Sequence, residues 1–213
     1  MSEIHPVRRV AVVLFEGFTV LDVYGPVQAF ASTRIPADDG GFRRLFEIVT
    51  MAESAGVVSS GEGPPSQAQY GFAEAPDYDI LLIPGGFGTR AAVNNTQFLE
   101  RLAAASQRAR ITATVCTGSA LLARTGLLDE RPATSNKLAW NWVVQQGPKV
   151  KWVRQARWVD AENIVTSSGV SAGIDMALSL VARLLGRDLA LAAARNMEYR
   201  WHEDATDDPF TVW

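Results

Sequence analysis

Apolar residues along this chain fall into short unbroken runs, separated by longer stretches of helical period. Residues 9–15 (Arg-Val-Ala-Val-Val-Leu-Phe) form a continuous β-branched run, the pattern of a strand buried on both faces. Similar runs predict strands over 45–50, 78–84 and 111–115. Shorter extended pieces are predicted at 133–135, 150–153, 156–159 and 164–166, with a turn at 160–163 between the last two. Helical spacing predicts helices over 21–32, 96–109, 117–125, 137–146, 171–185 and 189–198. In the first helix, Gly25-Pro26 is compatible with a first turn, where proline's missing N–H costs little. Thr96 is placed to cap the second helix. Residues 57–60 and 66–70 flank a Gly/Pro-rich turn at 61–65 and suggest a small hairpin.

Strands alternating with helices imply parallel βαβ units whose right-handed crossovers place helices on both sheet faces. The expected fold is therefore α/β, a three-layer α/β/α sandwich on a mostly parallel sheet. No linker, repeat or low-complexity block divides residues 1–213, so one domain is expected, with its core at about 9–186 and a C-terminal helix and tail at 187–213. Chemistry in such sheets gathers at the carboxyl ends of the strands. Three unusual local sequences fall there: Pro84-Gly85-Gly86, Cys116-Thr117-Gly118 and Ser167-Ser168-Gly169.

Composition narrows the function classes. The 213 residues are 47% hydrophobic and 20% charged, with a formal charge of −3, so nothing drives the chain toward nucleic acid or an anionic membrane. A single cysteine excludes an intrachain disulfide, and with only two histidines it argues against a structural zinc site. The first nine residues are short and polar, unlike a secretory signal, and no run of about 20 apolar residues exists. The expected compartment is the cytoplasm, where a free thiol stays reduced.

That cysteine, Cys116, stands where a strand turns into a helix, the arrangement of a nucleophile elbow. The helix N-terminus is expected to favour a thiolate, although a free cysteine also serves as a small buried hydrophobe. Gly85-Gly86-Phe87-Gly88 does not match a dinucleotide fingerprint, because position 91 is Ala. It serves either to bring backbone N–H groups close to a substrate or simply to make a tight turn. Asp22 follows the first strand, where it can cap a helix or, if it lies near Cys116, carry a proton. His5 and His202 both occupy terminal segments, which disfavours amide hydrolysis by a Cys–His pair. The tryptophans at 140, 142, 152, 158, 201 and 213 are expected in core or interface, with one or two available to wall a pocket.

Together these residues resemble the ThiJ/PfpI family of the class I glutamine-amidotransferase-like superfamily, and within it the isocyanide hydratase-like branch. The resemblance spans about residues 9–186. It rests on Leu14-Phe15, Leu21-Asp22 with Gly25-Pro26, Leu82-Ile83-Pro84-Gly85-Gly86, Val115-Cys116-Thr117-Gly118-Ser119 and Ala172-Gly173-Ile174-Asp175. It implies a flavodoxin-like sandwich, a homodimer, and neither metal nor organic cofactor. It also implies Cys116 as nucleophile, Asp22 as acid/base, Thr117 as the group positioning the acid or a water, and the Gly85, Gly86 and Phe87 loop as the pocket lining. The implied reaction adds water to an isocyanide, with its alkyl or aryl group held by Phe87 or a tryptophan. The alternatives are chemistry on 2-oxoaldehydes or a redox-sensing regulatory module, without direct DNA binding. Two features depart from the family pattern. Asn136 stands where many members carry histidine, and 35–44 looks like an insertion bearing on the pocket rim or the dimer contact. The stretch 198–203 lies outside the resemblance.

Overall fold

The computed structural model describes residues 6–211; His5 and Trp213 lie outside the described residues. The first apolar run forms β1 (Arg8–Val13) and is followed by α1 (Val20–Ser32). A short antiparallel pair, β2 (Arg34–Pro36) and β3 (Phe42–Arg44), precedes β4 (Phe46–Ala52). The expected hairpin is β5 (Gly56–Ser59) with β6 (Pro65–Ala68), and β7 (Tyr70–Gly71) follows. Next come β8 (Ile80–Ile83), α2 (Thr89–Ala92), α3 (Thr96–Arg108), β9 (Ile111–Thr114) and α4 (Gly118–Arg124). A parallel pair, β10 (Pro132–Ala133) and β11 (Lys151–Trp152), brackets α5 (Trp140–Gln146). The chain continues through β12 (Trp158–Ala161), β13 (Ile164–Ser167), α6 (Ala172–Leu185) and α7 (Arg187–Asn196).

Seven strands form the central sheet in the order β12-β13-β9-β8-β1-β4-β7, parallel throughout except where β12 meets β13. Every residue of β8 and β9 is buried, as a strand covered on both faces must be. Helices α1, α6 and α7 pack together, while α4 packs with α2, α3 and α5. The crossover from β1 to β4 runs one way along the sheet and that from β8 to β9 the other. Right-handed connections therefore put α1 and α3 on opposite faces. The direction reverses between β1 and β8, so a crevice opens at their carboxyl ends. Asp22, Gly85 and Cys116 follow β1, β8 and β9, and this topology brings all three to that crevice.

Local departures from the sequence expectation have local causes. Pro26 lies inside α1 rather than in its first turn. Asn95, not Thr96, caps α3, its side chain accepting from the Phe98 N–H at 3.0 Å. Helix α5 starts at Trp140 instead of 137 because Asn136 caps the turn before it, accepting from the Ala139 N–H at 2.8 Å. The strand expected at 156–159 is shifted to Trp158–Ala161, which puts Asp160 in the ladder opposite Val165 rather than in a turn. The insertion-like 35–44 folds as the β2–β3 pair.

The C-terminal part also buries charge. Asp175 and Asp208 are fully buried, with Lys137 and Arg157 nearly so. The Arg157 guanidinium forks onto Asp175 Oδ2 at 2.8 and 2.5 Å, and Asp208 lies 3.5 Å from Lys137 and 3.7 Å from Arg157. Asp175 also accepts the Tyr199 hydroxyl and the His202 N–H, each at 3.0 Å, which ties the tail to α6. Two cations balance two anions, so removing one partner strands a charge in the core. Arg157→Met is expected to lower unfolding free energy by about 3–5 kcal/mol in urea titrations. A loss under about 1 kcal/mol would show the cluster to be solvated instead.

Candidate active site

Cys116 occupies the turn between β9 and α4 with φ at +56°, a left-handed conformation uncommon for a side chain of this type. The bend fits because Gly118 follows: a Cβ there would approach the Ile83 carbonyl oxygen to 2.5 Å. Gly85 is constrained in the same way, since its Cβ would lie 2.5 Å from the Thr117 nitrogen and 2.9 Å from the Cys116 Cβ. The strand ends thus approach closely enough to stack the glycine loop on the elbow. The Cys116 N–H donates to the Ser168 carbonyl at 3.0 Å, and the Ser135 hydroxyl donates to the Cys116 carbonyl at 2.8 Å.

Asp22, in the first turn of α1, is fully buried beside the sulfur. Its Oδ2 accepts the Gly85 N–H at 2.9 Å, whereas Oδ1 takes no well-aligned hydrogen bond from the described residues. Burial pushes its carboxyl up to about 7, against smaller opposing effects of the Gly85 N–H and the Cys116 thiol; Glu62 adds a little to the rise. Burial and then the Asp22 charge push the Cys116 thiol up. The N–H groups of Thr117 and Val170 and the Thr117 hydroxyl pull the other way without prevailing. The expected thiolate is therefore overturned. The N-terminus of α4 does help, but dehydration and a neighbouring carboxylate outweigh it. Near neutrality the pair holds either two protons or one, and it titrates as a unit.

Thr117 links this pair to the glycine loop. The Gly86 N–H donates to its Oγ1 at 3.0 Å, and the hydroxyl lies 3.3 Å from the Gly86 carbonyl as well as beside the sulfur. Thr89, fully buried, donates to the Gly86 carbonyl at 2.7 Å and lies 3.2 Å from the Thr117 hydroxyl. Arg90 stacks on Trp142 with its guanidinium 4.3 Å from the ring centre, and donates to the Gly86 carbonyl at 3.3 Å. No sequence motif marks Thr89 or Arg90; they matter only because the unforeseen helix α2 folds over the loop.

The glycine loop differs from its expected use. The N–H groups of Gly85 and Gly86 are already committed to Asp22 and Thr117, so the loop holds the acid and the hydroxyl instead of presenting free donors. The donors beside the sulfur are those of Thr117 and Val170. Phe87 is 84% exposed and lies 5.1 Å under Arg90 instead of walling a pocket. Gly86, at φ +130°, packs against the backbone of residues 17–19, which fills the inner side of the loop and leaves Phe87 to solvent.

The cleft that adjoins the elbow lies on the other side. It is about 380 Å³, runs between the 136–138 turn and the 168–171 loop, and is walled by Leu138, Val170 and Phe210, not by a tryptophan. Trp140 and Trp158 are buried, and Trp140 meets Trp152 edge-on at 6.1 Å. His202 is engaged in the tail, its ring nitrogen 3.2 Å from the Asp207 carbonyl. Asn136 serves as a cap rather than a base. Among the described residues no group of three or more His, Cys, Asp or Glu is arranged to hold a metal, and no helix is long and apolar enough to cross a membrane.

The fold agrees with comparisons to known proteins. The DJ-1/PfpI family model matches residues 8–183, and the chain belongs to that family. It is 28% identical over 194 residues to an isonitrile hydratase from Pseudomonas putida, covering 90% of this chain and 78% of that protein. It is also 28% identical over 192 residues to the HTH-type transcriptional regulator GbdR of Pseudomonas aeruginosa, but spans only 51% of that regulator's length. A ThiJ/PfpI family protein from Pseudomonas syringae superposes with a TM-score of 0.79 at 31% identity, covering 95% of this chain and 77% of the other. Drosophila melanogaster DJ-1beta shares the fold with a TM-score of 0.76 at 16% identity, covering 92% of this chain and 100% of that one.

The buried carboxyl has a thermodynamic consequence. Its proton is held more tightly folded than unfolded, so its contribution to stability is fully present below about pH 4 and declines as pH rises through about 7. Asp22→Asn keeps an acceptor for the Gly85 N–H but removes that slope. The unfolding free energy of the variant relative to wild type is expected to grow between about pH 4 and pH 7, by at most about 4 kcal/mol, with its melting temperature rising in step. Parallel melting profiles across this range would contradict a buried, ionisable Asp22.

Proposed function

We propose that this DJ-1/PfpI family member is an isocyanide hydratase-like enzyme in which Cys116 and Asp22 carry the chemistry without metal or organic cofactor. The observation behind this reading is the carboxyl of raised proton affinity buried against the thiol, with no histidine beside them among the described residues. An isocyanide carbon needs a nucleophile and a proton but no leaving amine, which suits such a pair. Its P. putida relative, an isonitrile hydratase, is consistent with the reading.

Asp22, as carboxylate, takes the thiol proton while sulfur bonds to the terminal carbon of R–N≡C. The same proton then passes to that carbon, giving a thioimidate, R–N=CH–S, on Cys116. The N–H groups of Thr117 and Val170 hold the sulfur in place. In the second half Asp22 takes a proton from water as its oxygen adds to the thioimidate carbon, and it returns that proton to the nitrogen. The tetrahedral adduct then collapses: the C–S bond breaks, the hydroxyl proton returns to sulfur, and R–NH–CHO leaves. One water is consumed and the Cys116–Asp22 pair is restored. We take the protein to act as a homodimer, as the family resemblance implies; exposed Leu21 and Tyr24 on α1 supply apolar surface for a partner copy.

A second reading is favoured by the match to about half of a transcriptional regulator: a ligand-binding module that turns nothing over. Turnover separates the two. Purified protein should convert cyclohexyl isocyanide to N-cyclohexylformamide, and Cys116→Ala should abolish the reaction. Because the reactive form needs Asp22 ionised beside a neutral thiol, log kcat/KM should rise with unit slope below about pH 7 and level off above it. Asp22→Asn should lose that limb and roughly 10²–10⁴ in rate. No formamide, or turnover that survives Cys116→Ala, would refute the enzymatic reading.

A further inference from the structure

We propose that the C-terminal tail builds one wall of the substrate cleft, and that Phe210 selects the neutral, apolar substituent carried by the electrophile that Cys116 attacks. This deepens the reading above and rests on it only in taking Cys116 as the nucleophile.

The cleft borders the elbow, with Cys116 itself buried behind its lining. Ser168 and Val170, which line it, are the residues whose carbonyl and N–H engage Cys116. Its opposite side carries Leu138, which is 89% exposed, and Phe210, which is 52% exposed. Apolar side chains left open at the mouth of a reactive site favour an apolar ligand. The lining cation and the Asn136 carbonyl oxygen are already engaged. Although Lys137 lines the cleft, its ammonium turns inward to the Thr134 hydroxyl and the Ala156 carbonyl, both at 2.8 Å, and to Asp208. The Asn136 carbonyl oxygen is held by the Ala139 N–H. With its one lining cation turned inward, the cleft suits an uncharged substituent.

The tail is anchored for this role. Asp208 pairs with Lys137 and Arg157 inside the protein, and its N–H donates to the Gln155 carbonyl at 3.0 Å. Asp208 Oδ1 accepts the Phe210 N–H at 3.2 Å, which fixes the turn that carries the ring. Arg157 also accepts the Ser168 N–H at 2.8 Å through its carbonyl, so tail and loop hang from one residue. Phe210 lies beyond residues 8–183, which the family model matches.

The test uses covalent labelling of Cys116, independent of isocyanide turnover. Second-order rate constants for iodoacetamide and N-phenyl iodoacetamide are measured by intact-mass spectrometry on the full chain. Wild type is expected to favour the phenyl reagent by roughly tenfold or more. Phe210→Ala is expected to erase most of that preference, and Leu138→Ala part of it. Melting temperatures should stay close to wild type, because both rings and chains are substantially exposed. A preference unchanged in Phe210→Ala overturns the proposal. So does labelling by neither reagent, or a preference that appears only on dilution to monomer, which would mean a second copy fills the cleft. If the preference shifts as expected but no isocyanide is hydrated, the cleft assignment stands and the hydratase reading falls.

Discussion

Burying a carboxyl and a thiol in one dry pocket is the constraint around which this structure is arranged. Water would solvate each anion; the pocket offers Asp22 a single aligned N–H donor from Gly85, and offers the sulfur only Thr117 and Val170. Both groups therefore hold their protons more tightly; the Asp22 charge disfavours ionising the thiol, whereas the neutral thiol's hydrogen bond favours the carboxylate. Near neutrality one proton is exchangeable between them. That exchange is what a nucleophile and its acid/base partner need.

Reaching this juxtaposition makes demands on distant parts of the chain. Strands β1, β8 and β9 must be adjacent, because Asp22, Gly85 and Cys116 come from their three ends. Glycines at 85 and 118 remove the Cβ atoms that would hold those ends apart. Thr89 and Thr117 then lock the glycine loop to the elbow through hydroxyl contacts. On the far side the buried Lys137, Arg157, Asp175 and Asp208 fasten the tail against the loop that covers the sulfur. These contacts add specificity of arrangement more than net stability, since dehydrating four charges consumes much of what their pairing returns.

The parts of this account legible in the sequence are those with a local signature. Unbroken β-branched runs mark strands covered on both faces, and a strand-Cys-Thr-Gly-helix order marks the elbow. Asp22 was identifiable as a candidate because it follows a strand, but its contact with Cys116 depends on strand order, which no local pattern encodes. The ionisation of Cys116 departs from expectation for a related reason: a helix N-terminus can be read from the chain, whereas depth of burial cannot. Lys137, Arg157, Asp175 and Asp208 look like ordinary surface charges, scattered over separate elements, until the fold collects them. Phe87 looked like a pocket residue by adjacency to Gly85-Gly86, yet the backbone of residues 17–19 occupies the side it would have faced.

The shared proton of Asp22 and Cys116 is the claim on which the chemistry turns, and a carbon-13 NMR titration of the Asp22 side-chain carboxyl reads it directly. The account predicts a midpoint near pH 7 in wild type, moving higher in Cys116→Ala, where the thiol no longer supports the carboxylate. A midpoint near 4 that is indifferent to Cys116 would contradict it.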